Sequence, residues 1–130
     1  MDWDLLSDIS SQALTGAMRG SVARHRALAD NIANVDTPGF IRREVQFEEA
    51  LAAAMQTARR APQRASQVIS SVNMRPREDH AAPARADGNN VDIDRELVSL
   101  AGNALRFQAA SEVLAARVRT LRMAIQGNRR

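Results

Sequence analysis

Lysine, tyrosine and cysteine are all absent from this sequence of 130 residues, and its only aromatic residues are Trp3, Phe40, Phe47 and Phe107. Without cysteine the chain has no disulfide and no thiolate metal ligand, and the redox state of its compartment stays open. So few aromatic rings offer little for nucleic-acid bases to stack on. These absences exclude disulfide-stapled and zinc-thiolate proteins and count against a nucleic-acid-binding protein.

The basic residues are unusual because all 18 of them are arginines, and 15 acidic residues leave a formal net charge of only +3. The sequence pI of about 11.1 overstates how basic the protein is, since no lysine, tyrosine or cysteine titrates between neutrality and the arginine pKa. Arginines also alternate with acids, as in residues 42–44 and 77–79. We expect a mixed, mildly basic surface and no nucleic-acid partner.

Long apolar runs are missing too. The longest, residues 50–55, is far shorter than the roughly 20 residues that cross a bilayer as a helix. The first residues carry Asp2 and Asp4 where a secretory signal needs a basic region, and no apolar run follows. We therefore expect no cleavable signal peptide, so any export would use a different route.

Catalytic signatures are also lacking. The two histidines, His25 and His80, are far apart in the sequence, and no nucleophile or third ligand is arranged around either. The sequence has no glycine-rich phosphate loop, nucleophile elbow or paired-histidine helix motif. It predicts a protein that is not an enzyme and takes no cofactor, metal or small-molecule substrate.

The strongest signal that is present is a long amphipathic helix in the C-terminal third. Residues recur there at alternating intervals of three and four, which return to one side of an α-helix. The helix should start near Asp92 or Asp94, either of which can act as N-cap, and end before Gly127. We call this stripe of residues the seam. Alanines beside the seam widen the apolar band and favour contact with more than one helix. The seam consists of Leu97, Leu100, Ala104, Phe107, Ser111, Leu114, Val118, Leu121 and Ile125.

A weaker stripe of the same kind predicts an N-terminal helix over about residues 8–34. Gly16 and Gly20 each lower helix preference by about 1 kcal/mol, and Ser21 and His25 interrupt the stripe. Neither helix can bury its stripe alone, so we expect a mainly α fold in which both terminal helices pair as a bundle or coiled-coil-like layer, completed by neighbouring chains. The N-terminal packing residues are Leu14, Met18, Leu28 and Ile32.

The region between the helices is more varied. Pro38 cannot continue a helix, and Pro38 and Gly39 suit the centre of a type II turn. A short extended segment and a helix over residues 48–58 follow, whereas residues 59–90 are rich in proline, arginine and serine and are expected to be flexible. The sequence thus divides into an N-terminal helix (1–35), a turn, extended segment and short helix (36–58), a flexible segment (59–90) and a C-terminal helix (91–130).

Two motifs carry a family resemblance, and the first lies at the predicted helix end. From helix-capping and turn chemistry alone, this motif is interpreted as a C-cap near Asn34 followed by a Pro-Gly turn. Asn31 and Asn34 share one helical face, placed either to hydrogen-bond across an interface or to stay solvated. The string nevertheless resembles the N-terminal signature of the flagellar basal-body rod and hook family, with Phe40 where tyrosine is frequent. The matching residues are Asn31, Ala33, Asn34, Thr37, Pro38, Gly39 and Phe40.

The second motif precedes the C-terminal helix. Its acids suggest calcium, but a loop starting at Asn90 lacks glycine at its sixth position and has Ala101 where a bidentate glutamate would stand. A turn followed by an N-cap is the simpler interpretation. Together with residues 47–51 and 105–108, this motif extends the resemblance over residues 8–58 and 87–126. Its residues are Asp87, Gly88, Asn89, Asn90, Val91 and Asp92.

The resemblance implies a structural subunit whose terminal helices stack into a helical tube, the rod that carries torque across the periplasm. It also implies export through the flagellar type III apparatus without a cleavable signal. The implied partners are copies of the chain, other rod proteins, the adaptor protein FliE and the membrane-ring protein. A proximal rod subunit is favoured over the hook or distal rod because the middle segment is short. Another rod subunit and, more remotely, an arginine-rich nucleic-acid-binding helical protein remain open.

Overall fold

The computed structural model describes residues 8–127, and this part of the chain is mainly α-helical, as the sequence predicts. The predicted lack of a signal peptide and the outer ends of both terminal segments, residues 1–7 and 128–130, lie outside the described residues. No helix within residues 8–127 is long and apolar enough to cross a membrane. The elements are α1 (Ile9–Ala33), β1 (Arg43–Glu44), α2 (Glu48–Arg60), a 3-10 turn (Pro62–Arg64), α3 (Ala65–Ser70), β2 (Arg77–Glu78) and α4 (Ile93–Gly127).

Helices α1 and α4 pack against each other and run antiparallel, which confirms the predicted pairing of the terminal helices. Three polar contacts spaced along the pair define the register, since the residue number on α4 rises as that on α1 falls. Because α4 has 35 residues and α1 only 25, α4 continues past the start of α1. The three contacts are Asn31 with Glu96, Ser21 with Asn103, and Asp8 with Arg117.

Helix α1 also packs against α2 and α3, and it does so through its glycines. A Cβ atom on Gly20 would lie 2.5 Å from ring atoms of Phe47, and one on Gly16 would lie 3.0 Å from Leu51. The helix preference lost at these two positions is therefore offset by close approach of the neighbouring side chains. The core formed here comprises Ala27, Val45, Phe47, Leu51, Ala54, Ala58, Ala65 and Ile69.

A short antiparallel ribbon draws the segment after α3 back towards the end of α1. Arg43 of β1 lies opposite Glu78 of β2, and Glu44 lies opposite Arg77. Because both strands have the sequence Arg-Glu, antiparallel pairing places opposite charges across from each other at both positions. The ribbon brings residues 79–92 alongside the turn that follows α1.

The segment 59–90 contains α3 and β2, neither of which the sequence analysis predicts. Ile69 lies in the core at 3% exposure, and partly buried Val68, Val72 and Met74 pack against it. Its few apolar residues therefore close one side of the core. The predicted flexibility of this segment stays a prediction.

Helix ends follow the predicted signals closely. Helix α1 ends at Ala33 with Asn34 as its C-cap. The backbone N–H of Phe40 then donates to the Thr37 carbonyl at 3.2 Å, and Gly39 has φ +71°, as its position in a type II turn requires. The predicted Pro-Gly turn is thereby confirmed.

Candidate assembly surface and the junction that positions it

A buried polar cluster joins the end of α1 to the start of α4. Asn31 is fully buried, and its Nδ2 donates to the Arg43 carbonyl at 2.8 Å and to Oε2 of Glu96 at 2.9 Å, while its Oδ1 accepts from the Arg43 N–H at 2.8 Å. Glu96 is only 1% exposed, and its Oε1 accepts from Nε of Arg42 at 2.8 Å. A buried carboxylate is costly unless paired, and here it has both a cation and an amide.

The Arg42 guanidinium extends this cluster to the segment after β2 by pairing with Asp79. Two short bonds from Asn90 complete it: Oδ1 accepts from the Arg42 N–H at 2.7 Å, and Nδ2 donates to the Asp79 carbonyl at 2.7 Å. A hydrogen bond from the Ala81 backbone, with help from Arg42, lowers the pKa of Asp79. We call Asn31, Arg42, Asp79, Asn90 and Glu96 the junction.

The two sequence motifs meet in a pair of facing turns beside the junction. Asn89 is fully buried, and its Nδ2 donates to the carbonyls of Asn34 at 2.9 Å and Thr37 at 2.8 Å. Gly39 and Gly88 both have positive φ, +71° and +82°. A Cβ atom on Gly88 would lie 3.4 Å from the Cα of Gly39, so the two turns touch through their glycines.

Of the two roles open for Asn31, the structure excludes the solvated one. Its amide hydrogen-bonds across the interface between α1 and α4, to Glu96, and also to the backbone of β1. The reason is that the chain folds back after Pro38 and lays β1 beside the last turn of α1. Asn34 does act locally, donating to the Asp30 carbonyl at 2.8 Å and accepting from the Thr37 hydroxyl at 3.2 Å.

Other motif residues occupy less enclosed positions. Asp92 caps α4, because its Oδ1 accepts from the N–H groups of Asp94 at 3.1 Å and Arg95 at 3.3 Å. Val91 is buried and Phe40 is half-buried. Ala33, Thr37, Pro38, Gly39 and Asp87 are exposed, and Gly88 is half-buried.

A surface ion pair ties α1 to the start of α2. The Arg24 guanidinium donates to both carboxylate oxygens of Glu48, at 2.6 and 2.7 Å, and to the Val45 carbonyl at 3.0 and 2.7 Å. It also lies over the Phe47 ring, 4.8 Å from the centroid. The hydrogen bonds from Arg24 lower the pKa of Glu48 to about 2.

The predicted seam of α4 is only partly enclosed within one chain. The fully buried residues of α4 are two polar ones, Glu96 and Asn103, which face α1. Most seam residues are half-buried, whereas Leu97 and Ile125 remain 48% and 58% exposed. The half-buried ones are Leu100, Phe107, Ser111, Leu114, Val118 and Leu121, Ala104 is exposed, and on α1 Leu28 is buried while Leu14, Met18 and Ile32 are half-buried.

The side of α4 turned away from α1 is also apolar. Val98, Leu105 and Met123 are 74%, 68% and 64% exposed. Intervals of seven and eighteen residues correspond to about two and five helical turns, so these side chains share one face. Exposed Ala109 and Ala116 lie between them. We call these five residues the outer face; it has no packing partner among the described residues.

Comparison with known proteins identifies what kind of chain carries this surface. No family model matches it. The chain is 31% identical to the flagellar basal body rod protein FlgB of Salmonella typhimurium over 115 residues, which span 80% of this chain and 83% of that protein. The chain belongs to the FlgB family of flagellar basal body rod proteins. It is also 30% identical to FlgB of Borrelia hermsii over 120 residues, spanning 79% and 85% of the two chains, and 24% identical to FlgB of Bacillus subtilis over 121 residues, spanning 91% and 94%.

Family membership confirms the resemblance inferred from the two motifs. The structure of this FlgB relative also shows which residues the sequence analysis misses. Arg24, Arg42, Glu96 and Asn103 carry its main polar contacts between elements, yet none was singled out. A signal was present for Glu96, a charged residue one position before Leu97 of the seam and seven before Asn103. Both fall on the buried side of a helix where polar residues need partners.

Proposed function

We propose that this chain is a structural, non-catalytic subunit of the bacterial flagellar basal-body rod, which assembles through its terminal helices into a helical tube that transmits torque. The observation that carries the proposal is the apolar outer face of α4. A helix with apolar side chains on two sides needs a packing partner on each of them. One chain covers only the side of α4 that faces α1, so neighbouring subunits would cover the rest.

The rest of the fold supports this role by holding α4 in one position. The junction connects α4 to the end of α1 through buried hydrogen bonds and an ion pair, which oppose sliding of one helix along the other. Helices α2 and α3 pack against another side of α1. A helix pair fixed in register along the 25 residues of α1, about 37 Å, is a suitable unit for passing a twisting force to the next subunit.

Membership of the family supports a proposal about the setting. We place the subunit in the periplasmic part of the basal body, beside copies of itself, other rod proteins, FliE and the membrane-ring protein. Delivery would use the flagellar type III export apparatus, without removal of a signal peptide.

The competing functions have less support. The relatives reported above are all named FlgB rather than another rod subunit. A nucleic-acid role has little support, because the arginines alternate with acids in residues 42–44 and 77–79 and few aromatic rings are available for base stacking.

The test is incorporation into basal bodies in a bacterium whose own FlgB gene is deleted. The chain should restore motility and co-purify with isolated basal bodies. Leu105→Glu places a charge on the outer face at a side chain that is 68% exposed, so the isolated protein should keep its helicity while incorporation falls at least tenfold. Ser66→Glu, an exposed position on α3, is the matched charge control and should incorporate normally.

Two results would count against the proposal. A well-expressed chain that never enters basal bodies would contradict the rod assignment. Normal incorporation of Leu105→Glu would show that the outer face is not a subunit contact, even if the chain belongs to the rod.

A further inference from the structure

An apolar groove runs along one side of the pair of helices α1 and α4. It consists of two adjoining depressions of about 600 and 330 Å³, which share Val22, Arg26 and Phe107. Val22 is 39% exposed, so the groove is open to solvent. None of the described residues that line it is acidic. We call it the side groove; its main apolar lining residues are Met18, Val22, Met74, Ala104, Phe107 and Leu114.

Two cations lie on the rim of the side groove. Arg19 and Arg26 are exposed and both line it, and their spacing of seven residues puts them on the same side of α1. Arg19 donates to the Ser70 carbonyl at 3.4 Å, and neither arginine has an ion-pair partner among residues 8–127. The groove therefore suits an apolar surface that carries an acid.

The outer face of α4 has this chemistry. Glu112 follows Leu105 by seven residues and precedes Ala116 by four, so it lies on the same face. It is exposed, and it is the only acidic residue of α4 after Glu96. Its Oε1 accepts from Nε2 of Gln108 at 3.0 Å, but within residues 8–127 no cation pairs with it. A single charge within an apolar helix face is suited to setting the register of a contact.

The two surfaces lie on different sides of the molecule, because the outer face points away from α1 and the side groove lies between α1 and α4. We propose that the outer face of α4 docks in the side groove of a second copy, with Glu112 between Arg19 and Arg26 of that copy. A contact between two different surfaces leaves one of each free, so it continues from copy to copy and builds an open helical array. The inference rests on the proposed rod function for its setting and deepens it by naming both contact surfaces.

The register of this contact is compatible with the remaining side chains. If both copies run in the same direction, α4 of one runs antiparallel to α1 of the other. Placing Glu112 level with the middle of the interval from Arg19 to Arg26 then sets Ala116 against Met18 and Arg119 beside Thr15. The small alanine thus meets a long side chain, and Arg119 lies away from the middle of the basic rim.

Cross-linking of introduced cysteines tests the contact, because the chain has no cysteine of its own. Ala116→Cys with Val22→Cys places one thiol on each surface. Ala116 lies next to Arg117, which pairs with Asp8 before the start of α1, so Val22 is about 20 Å away along the helix pair and a short bismaleimide cannot join the two within one copy. The purified chain at rising concentration should give a ladder of dimers, trimers and larger products. Ala116→Cys with Ala53→Cys, exposed on α2, is the matched control and should stay monomeric.

Two outcomes of this experiment would overturn the proposal. Dimers from Ala116→Cys alone, without a ladder from the double variant, would mean that two outer faces meet each other. The absence of any product from Ala116→Cys with Val22→Cys at the highest concentration and in basal bodies would mean that the outer face and the side groove do not meet.

Charge reversal in the double-cysteine chain tests the ion pairs. Glu112→Arg should lower the yield of the ladder at least about fivefold, and so should Arg19→Glu with Arg26→Glu. The three changes together should restore the ladder, because the charges are then exchanged between the surfaces. Glu49→Arg, at an exposed carboxylate of α2, is the matched control and should leave the yield unchanged. Failure of the rescue, or an equal loss from Glu49→Arg, would overturn the role of Glu112.

The same cross-link in basal bodies separates this inference from the rod function. A ladder in both the purified chain and basal bodies supports both. A ladder in the purified chain without incorporation would support the contact and contradict the rod function. Incorporation without a ladder in basal bodies would leave the rod function in place and overturn the contact. A chain that neither incorporates nor cross-links would overturn both.

Discussion

Gly20 shows how one residue decides whether two elements pack. Alanine is the better helix former by about 1 kcal/mol, but its Cβ would lie 2.5 Å from the Phe47 ring. Overpacking of this kind costs about 1–3 kcal/mol. The gain in helix preference offsets part of this cost, so Gly20→Ala should lower the free energy of unfolding by up to about 2 kcal/mol in urea titrations. Gly102→Ala is the control, because nothing lies within 4 Å of its Cβ, and it should be neutral or stabilising. Equal effects of the two changes would contradict this account.

Asn31 carries a second prediction at the residue scale. Asn31→Ala would leave the buried Glu96 carboxylate without its amide donor and the partly buried Arg43 N–H without an acceptor. The expected loss in unfolding free energy is about 3 kcal/mol. Asn34→Ala removes only local bonds near the surface and should cost less than about 1 kcal/mol. Chemical denaturation of the two variants compares their losses in unfolding free energy. Similar losses would mean that Asn31, like Asn34, acts only at the helix end and not through the junction.

At the scale of elements, the contact between α1 and α2 depends on pH. The pKa of Glu48 is lowered to about 2 from an ordinary value of 4.5, chiefly by hydrogen bonds from Arg24. A depressed pKa in the folded state means that the pair stabilises the fold above pH 4.5 and that this contribution is lost as pH falls towards 2. Because the Glu48 side chain is 56% exposed, the contribution should stay within about 1 kcal/mol.

Comparison of the chain with Glu48→Gln measures this directly. The difference between their urea midpoints should be constant above about pH 5, shrink as the pH falls below that, and disappear only below the folded pKa of about 2. Arg24→Gln should cost more than Glu48→Gln at neutral pH, because it also removes the contact with the Phe47 ring and the hydrogen bonds to the Val45 carbonyl. A difference that persists unchanged at pH 2 would show that the ion pair is not its source.

The elements also differ in how far the sequence predicts them. Helices α1, α2 and α4 were predicted to within about two residues because apolar spacing, caps and Pro38 are local signals. Helix α3 and strand β2 were missed, since six- and two-residue elements have too few positions to show a period. The junction was missed for a different reason: Asn31 and Glu96 are 65 residues apart, and only the folded chain brings them together.

The whole molecule is stabilised unevenly along its length. Well-buried apolar residues gather where α1, α2 and α3 meet, and the junction secures the first turns of α4. Beyond Asn103, none of the remaining residues of α4 up to Gly127 is fully buried. Local stability follows buried contacts, so it should fall along α4 from its N-terminal to its C-terminal end.

We expect neighbouring subunits to supply the burial that the C-terminal part of α4 lacks, and hydrogen exchange tests this expectation. In the isolated chain, amides of residues 110–127 should exchange much faster than those of residues 45–58, and circular dichroism should show less helix than the full length of α4 requires. In isolated basal bodies the same amides should become protected, since neighbours then cover the outer face. Sedimentation should show helicity rising as larger species form. The contrary result would be uniform protection along α4 in the isolated chain, together with cooperative unfolding that is independent of concentration. It would mean that α4 is fully ordered on its own and that assembly adds contacts without adding order.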